Sequence, residues 1–279
     1  MMRIVVTGAA GQLGTAIVQQ FKDRADMIPA PRQTLDIGDA ASVDALLARE
    51  RPDAVINCAA YNDVDGAEDH AADALRVNAM AVRLLARATA AAGAIFVHYG
   101  TDFVFDGLAA RPYSEDDEPA PQSVYACSKL LGDWFAADCP RHYVLRVESL
   151  FGGSQRRSSV DRIVDAIRKG EPARVFVDRS VTPSYVHDVA DATWRLMETS
   201  APAGIYHVVN SGVTTWLELA REVGRQFGVE PNLVPVKVAD VRMKARRPQY
   251  AALSNDKLAS AGIEMPTWRD ALRRYLSSL

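Results

Sequence analysis

Hydrophobic positions along the chain follow two alternating rhythms. "RIVVTG" (3–8) is a short β-branched run that stops at glycine, after which Leu13, Ile17, Val18 and Phe21 recur at helical spacing. Ser42 is placed to cap a helix carrying Val43, Leu46 and Leu47, with Pro52 beyond its end. "DAVINCAA" (53–60) reads as an apolar strand. "AADALRVNAMAVRLLARATAAAG" (71–93) then reads as one long helix with Gly93 in the left-handed position at its end. "AIFVHYGT" (94–101) and "HYVLRV" (142–147) are two further strands. Strands alternating with helices over some 150 residues predict an α/β fold: a Rossmann-type doubly wound parallel sheet.

Beyond Phe151 the rhythm loosens. "VDRIVDAIRKG" (160–170) is amphipathic and ends at glycine, and "PSYVHDVADATWRLMETS" (183–200) predicts a helix capped near Asp188, with Trp194 and Met197 in the core. Thr215 to Glu218 has capping-box form and opens a helix closing at Gly228; the last helix starts near Thr267. No repeat or flexible linker separates the halves. The expected division is a dinucleotide-binding domain of 1–149 plus about 182–203. A smaller, closely packed C-terminal substrate domain takes about 150–181 plus 204–279, with a cleft between the two.

Composition narrows the function. The 279 residues are 48% hydrophobic and 24% charged, with 32 basic against 35 acidic side chains and a formal net charge of −3. No global basic field recruits nucleic acid or an anionic membrane, so neither is an expected partner. Cys58, Cys127 and Cys139 are odd in number and without CxxC spacing, and the five histidines are scattered. Reduced thiols, no zinc site and a soluble, cytoplasmic protein are expected. "SEDDE" (114–118) reads as a solvated loop, and no metal is assigned. "ARRPQY" (245–250) is too small to be a nucleic-acid surface.

"TGAAGQLG" places Gly8, Gly11 and Gly14 between the first strand and the first helix. Residues without a Cβ let a pyrophosphate approach backbone amides at a helix N-terminus. The G-x-x-G-x-x-G spacing resembles that of the extended short-chain dehydrogenase/reductases, and Gln12 and Leu13 join the glycines as cofactor contacts. After the second strand, "APRQ" offers Arg32 and no preceding carboxylate, which favours a 2′-phosphate and so NADPH, with NADH as the alternative.

The chemistry sits further along. Thr101 ends a strand, and Tyr125 and Lys129 in "SVYACSKLLGD" are one helical turn apart on one face. A phenol is a sluggish acid at neutral pH. An ammonium beside it, together with a nicotinamide ring, lowers its pKa toward the working range. Hydroxyl, phenol and ammonium form a proton-transfer set, with Thr101 fixing the reacting oxygen.

"GTDFVFDG", "PYSEDDEPAPQSVYACSKLLGD", "RPDAVINCAAYNDVDGAE", "VN" at 77–78, "GIYHVVNSGVTTW" and "RRPQYAALSNDKL" stand in the order of the dTDP-4-dehydrorhamnose reductase family, which the sequence resembles over most of its length. The resemblance implies reduction of the C4 ketone of a nucleotide-linked deoxyhexose, with Tyr125 as proton donor, Lys129 tuning it and holding the nicotinamide ribose, and Thr101 anchoring the carbonyl. It puts Asp36 and Ile37 beside the adenine and Ala59, Ala60 and Tyr61 near the cofactor. Val64, Asp102, Phe103 and Phe105 line the sugar side, and Arg247 faces the diphosphate. A small-molecule nucleotide sugar is the partner, and dimers are common among relatives, so a homodimer is implied.

Departures from the family pattern accompany it. "LRVESLFGG" (145–153) stands where the family reads close to "RTSWVFG", so Ser149 replaces a tryptophan beside the substrate and Glu148 adds a carboxylate unfavourable to a diphosphate. Gly100 replaces a serine and Phe103 a tyrosine. They leave open a related 4-keto sugar or another base. Two other classes use the same scaffold: an epimerase or dehydratase with tightly held NAD, and an NADP-binding regulatory subunit such as that of methionine adenosyltransferase.

Overall fold

The computed structural model describes residues 1–199 and 201–279. Its ten strands are β1 (Met2–Thr7), β2 (Ala25–Ala30), β3 (Ala54–Asn57), β4 (Ile95–Thr101), β5 (His142–Val147), β6 (Ala173–Phe176), β7 (Ser180–Val181), β8 (Gly204–His207), β9 (Thr214–Thr215) and β10 (Leu233–Val236). Six of them form a sheet in the order β2-β1-β3-β4-β5-β8, and every pairing in it is parallel. Its central strands β3 and β4 are buried at every position, which is why they read as unbroken apolar runs.

Helices cover both faces. They are α1 (Gln12–Phe21), α2 (Ala40–Glu50), α3 (Ala71–Leu75), α4 (Ala81–Ala91), α5 (Val124–Ala136), α6 (Ser159–Lys169), α7 (Val186–Glu198), α8 (Trp216–Phe227), α9 (Asp256–Ser260) and α10 (Trp268–Ser277). One apolar cluster packs α1 and α7 on the sheet, where Phe21 meets Trp194 edge-on and Met197 is buried; another packs α2 and α4 on the opposite face. A third cluster, built on Phe151, Trp216, Trp268 and Tyr275, unites α6, α8 and α10 with two small sheets, β10-β6 and β7-β9.

Several expectations shift. The stretch 204–207 pairs in parallel with β5, so it belongs to the large sheet and not with the substrate part; four residues were too few for its strand period to stand out. The helix over 71–93 is broken by a π-helical turn at Arg76–Met80. Asp39 rather than Ser42 caps α2, accepting from the Ala41 N–H at 3.2 Å. Helix α7 starts at Val186 without a side-chain cap, and Asp188 instead accepts from Asn210 and Arg274, each at 2.7 Å. Ser200, the end of that sequence stretch, lies outside the described residues. The acidic loop is not merely solvated: Glu115 accepts from the His207 N–H of β8 at 2.7 Å, and Asp117 pairs with Arg111.

Candidate active site

Strand order reverses between β1 and β3, and ligands of open parallel sheets sit at such a switch point, outside the carboxyl ends of the strands. Gly8 follows β1 there with φ 63°, and a Cβ on it would fall 2.6 Å from the backbone nitrogen of Ala59 after β3. A Cβ on Gly14 would lie 2.5 Å from the Gly8 carbonyl oxygen, while Gly11 caps α1 and its N–H donates to that oxygen at 2.8 Å. The glycines therefore press loop, neighbouring strand and helix together and leave the helix N-terminus uncovered. This bare cradle fits a pyrophosphate.

Beside it opens a cleft of about 560 Å³ lined by Gly8, Gly11, Arg32, Asp36, Ile37, Ala59, Ala60 and Tyr61. Gln12 and Leu13 are engaged otherwise: the Gln12 amide donates to the Gly152 carbonyl at 2.8 Å, and the Leu13 side chain is in the core, leaving only its backbone for a ligand. Sequence reasoning missed Arg76, which lines the same cleft from the π turn with its guanidinium 3.5 Å from Asp36. Asp36 also accepts from the Gly38 N–H at 2.9 Å. Arg32 is exposed and makes no ion pair among the described residues, so two guanidiniums flank this end of the cleft. The signal for Arg76 was its place just before "VN", at a break in an otherwise regular helix.

Tyr61 joins the cleft to the reactive centre, since it also packs with Val64, Phe103 and Tyr125. Buried Asn78 holds it there, accepting from the Tyr61 N–H at 2.8 Å and donating to Ser128 on α5 at 3.0 Å. Ser123 caps α5, placing Tyr125 in its first turn and Lys129 in its second, both buried. Thr101 ends β4 and donates to Asp102 at 3.1 Å. The predicted triad is thus gathered at the carboxyl edge of the sheet.

Its electrostatics differ from expectation. Burial, then the charges of Asp102 and Asp133, push the Tyr125 phenol above its usual range, so the protein itself holds it protonated. Burial outweighs any help from the Lys129 ammonium, which donates to the Tyr99 carbonyl and lies 3.4 Å from His98 Nε2. Burial brings Lys129 itself down to about 8, against the pull of Asp133 one turn on. Asp133 is in turn held by buried Arg146 at 3.0 Å. That pair explains Gly100: a Cβ there would sit 2.8 Å from the Arg146 side chain and 2.8 Å from Asp133.

On the sugar side, Phe103 meets Tyr125 edge-on, ring centres 5.6 Å apart. Phe105 does not reach the site: it is 1% exposed and stacked on Tyr113, a core aromatic. Arg247 is clamped by Asp65 through two 3.0 Å bonds and sits half-buried. Ser149 takes a left-handed φ of 46°, a backbone position where a bulky residue is strained. The charge expected of Glu148 is opposed: burial, then the neighbouring Asp102, raise its carboxyl well above the usual range, while Thr182 donates to it at 2.6 Å. Buried Arg179, also missed in the sequence, acts on both carboxyls.

A dinucleotide cradle at the switch point, beside a threonine, tyrosine and lysine, defines an extended-type oxidoreductase fold. Residues 2–279 match the family described as RmlD substrate binding domain. The chain is 38% identical over 286 residues to the dTDP-4-dehydrorhamnose reductase of Mycobacterium tuberculosis, covering 99% of this chain and 93% of the other. To a probable dTDP-4,6-dihydroxy-2-methyloxan-3-one 4-ketoreductase of Streptomyces antibioticus it is 37% identical, covering 98% and 94%. The crystal structure of the Bacillus anthracis dTDP-4-dehydrorhamnose reductase in complex with NADP superposes with a TM-score of 0.95 at 31% identity, covering 100% of this chain and 99% of that one. The chain belongs to the dTDP-4-dehydrorhamnose reductase family.

Proposed function

We propose that this protein uses NADPH to reduce the C4 carbonyl of a nucleotide-linked keto sugar, dTDP-4-dehydrorhamnose or a closely related one. The observation that carries the reading is the meeting of Thr101, Tyr125 and Lys129 at the sheet edge next to the glycine cradle. When bound, NADPH supplies the hydride. The glycine turn and the N-terminus of α1 hold its pyrophosphate, Arg32 and Arg76 its 2′-phosphate, Ile37 the adenine side, and Ala59, Ala60 and Tyr61 the path toward Tyr125.

Thr101 hydrogen-bonds the carbonyl oxygen and fixes it within reach of the phenol. Tyr125, held protonated by its surroundings, gives its proton to that oxygen as negative charge develops. Lys129 orients the nicotinamide ribose, and its charge steadies the phenolate left behind. Val64, Asp102 and Phe103 face the sugar, and Arg247 releases Asp65 to take a diphosphate oxygen. The substrate lies between the large sheet with its helices (1–149 plus about 182–207) and the smaller cluster built on residues 150–181 and the chain beyond 207. A cytoplasmic enzyme, alone or as a homodimer, is the setting this implies.

The test is NADPH oxidation, followed by absorbance, with dTDP-4-dehydrorhamnose. Tyr125→Phe should cut the rate by roughly 10²–10⁴-fold and leave NADPH affinity intact, since only the acid is removed. A full rate in that variant would remove Tyr125 from the mechanism. Tightly copurifying NAD without NADPH oxidation would favour the epimerase class, and NADPH binding without reduction of any keto sugar a binding protein.

A further inference from the structure

Parallel pairing sets two acids side by side at the reactive edge. Thr101 of β4 is the register partner of Val147 of β5, so the next residues, Asp102 and Glu148, leave adjacent strands together. Both carboxyls are buried, 3% and 2% exposed, and neither has a basic group within ion-pair distance among the described residues. Each has one oxygen engaged and one with no partner. Asp102 Oδ1 accepts from Thr101 and Oδ2 is orphaned; Glu148 Oε2 accepts from the Thr182 N–H and hydroxyl, and Oε1 is orphaned.

Two adjacent buried carboxylates resist ionising together. The surroundings decide how many protons they keep. Arg179, buried beside both, supplies one positive charge, with Arg247 and Asp178 further round it. The ionisable neighbours otherwise are phenols, Tyr125 next to Asp102 and Tyr250 next to Glu148, neutral at pH 7. With one proton on the carboxyl pair, the cluster with Arg179 is neutral; with none it carries a buried net negative charge. A single retained proton also lets one orphaned oxygen act as a donor.

We propose that Asp102 and Glu148 share one proton at neutral pH and that this proton regenerates Tyr125 after each turnover, with Glu148 acting through Asp102 as the second half of the proton store. The inference rests on the reductase reading above. The route runs from Asp102 through Thr101, which donates to it at 3.1 Å, to the Tyr125 phenol that the Thr101 hydroxyl neighbours. Once the reduced oxygen has taken the phenolic proton, the phenolate takes the Thr101 hydroxyl proton as Thr101 takes one from the acid pair. Each O–H that breaks is replaced along the line. The pair ends one proton short, and solvent returns it after the product leaves. The transfer runs toward the phenolate because burial and the nearby carboxyls hold the Tyr125 phenol above its usual range.

Two measurements test it, with Glu148→Gln as the variant, which preserves size and an acceptor for Thr182. Infrared difference spectroscopy of the ligand-free protein at pH 7 should show a protonated-carboxyl stretch that Glu148→Gln removes; its absence from the wild type would overturn the proposal whatever the enzyme reduces. In rapid mixing with NADPH and dTDP-4-dehydrorhamnose, Glu148→Gln should oxidise one equivalent of NADPH at the normal rate. Later turnovers should then slow at least about tenfold, with KM unchanged. Unchanged steady turnover would overturn the relay. Loss of the first equivalent as well would make Glu148 a wall of the substrate pocket and overturn it too. If no keto sugar is reduced even by the wild type, the reductase reading fails, and the infrared band still reports on the shared proton.

Discussion

Arg146→Met is the perturbation whose cost the structure defines best. Arg146 is 1% exposed on β5, its Nε donating to Asp133 at 3.0 Å, and Asp133 on α5 is equally buried. Asp133 Oδ1 and Arg146 Nη1 have no partner, so the pair is incompletely satisfied and contributes little net stability as a pair. Removing the arginine alone is different. It leaves a buried carboxylate facing Lys129 and His98, at a cost of about 3–5 kcal/mol, a large part of the roughly 5–15 kcal/mol that holds a domain together. Burial already raises the Asp133 pKa above its usual value, and Arg146 is the first influence opposing that rise. Without it the carboxyl goes higher still. An acid whose pKa is raised on folding costs stability above its unfolded pKa and stops costing it as pH falls below. The loss should therefore be large at pH 8 and shrink toward pH 4. Urea unfolding across that range measures it, and Arg146→Met with Asp133→Asn should recover most of the loss, because no charge is left stranded. Equal destabilisation of the single and double variants, or a loss independent of pH, would refute the reasoning.

Gly8→Ala should abolish dinucleotide binding and destabilise the fold by more than about 1 kcal/mol, since φ is 63° and the new Cβ meets the Ala59 backbone; calorimetric NADPH titration and thermal unfolding read both. Arg32→Ala should weaken NADPH far more than NADH, and adding Arg76→Ala should remove the remaining preference; equal losses for both cofactors would show that neither guanidinium reads the 2′-phosphate. Folding lowers the Lys129 pKa to about 8, so the unfolded chain binds more protons between there and 10.5 and stability should rise with pH over that window, by on the order of 3 kcal/mol. Lys129→Met should flatten that rise in denaturant titrations.

What the sequence disclosed was local. Strand β5 follows "HYVLRV" residue for residue, and the capping box at Thr215 and the left-handed glycines at 170 and 228 stand where turn chemistry puts them. The glycine turn was legible because backbone approach demands residues without a Cβ. The pairing of Tyr125 with Lys129 was legible because one helical turn fixes their common face. The electrostatics were not. Whether an ammonium acidifies a phenol depends on how deeply both are buried, and the carbonyl that accepts the Lys129 hydrogen bond belongs to Tyr99, thirty residues away on another element.

The same reason hid the acid pair. Glu148 taken alone reads as an unwelcome charge near a diphosphate, and Asp102 as a sugar contact. Only the register of β4 with β5 makes them neighbours, and only burial converts two charges into one. Gly100 follows the same logic: its missing side chain makes room for the Arg146–Asp133 pair from the next strand and the overlying helix. Gly100 is the penultimate residue of β4 and Glu148 the first beyond β5, so both lie within the layer that carries Thr101. On the proposed mechanism the chain keeps the proton donor and changes the buried acids beside it, which alters when that donor is reloaded rather than whether it can act.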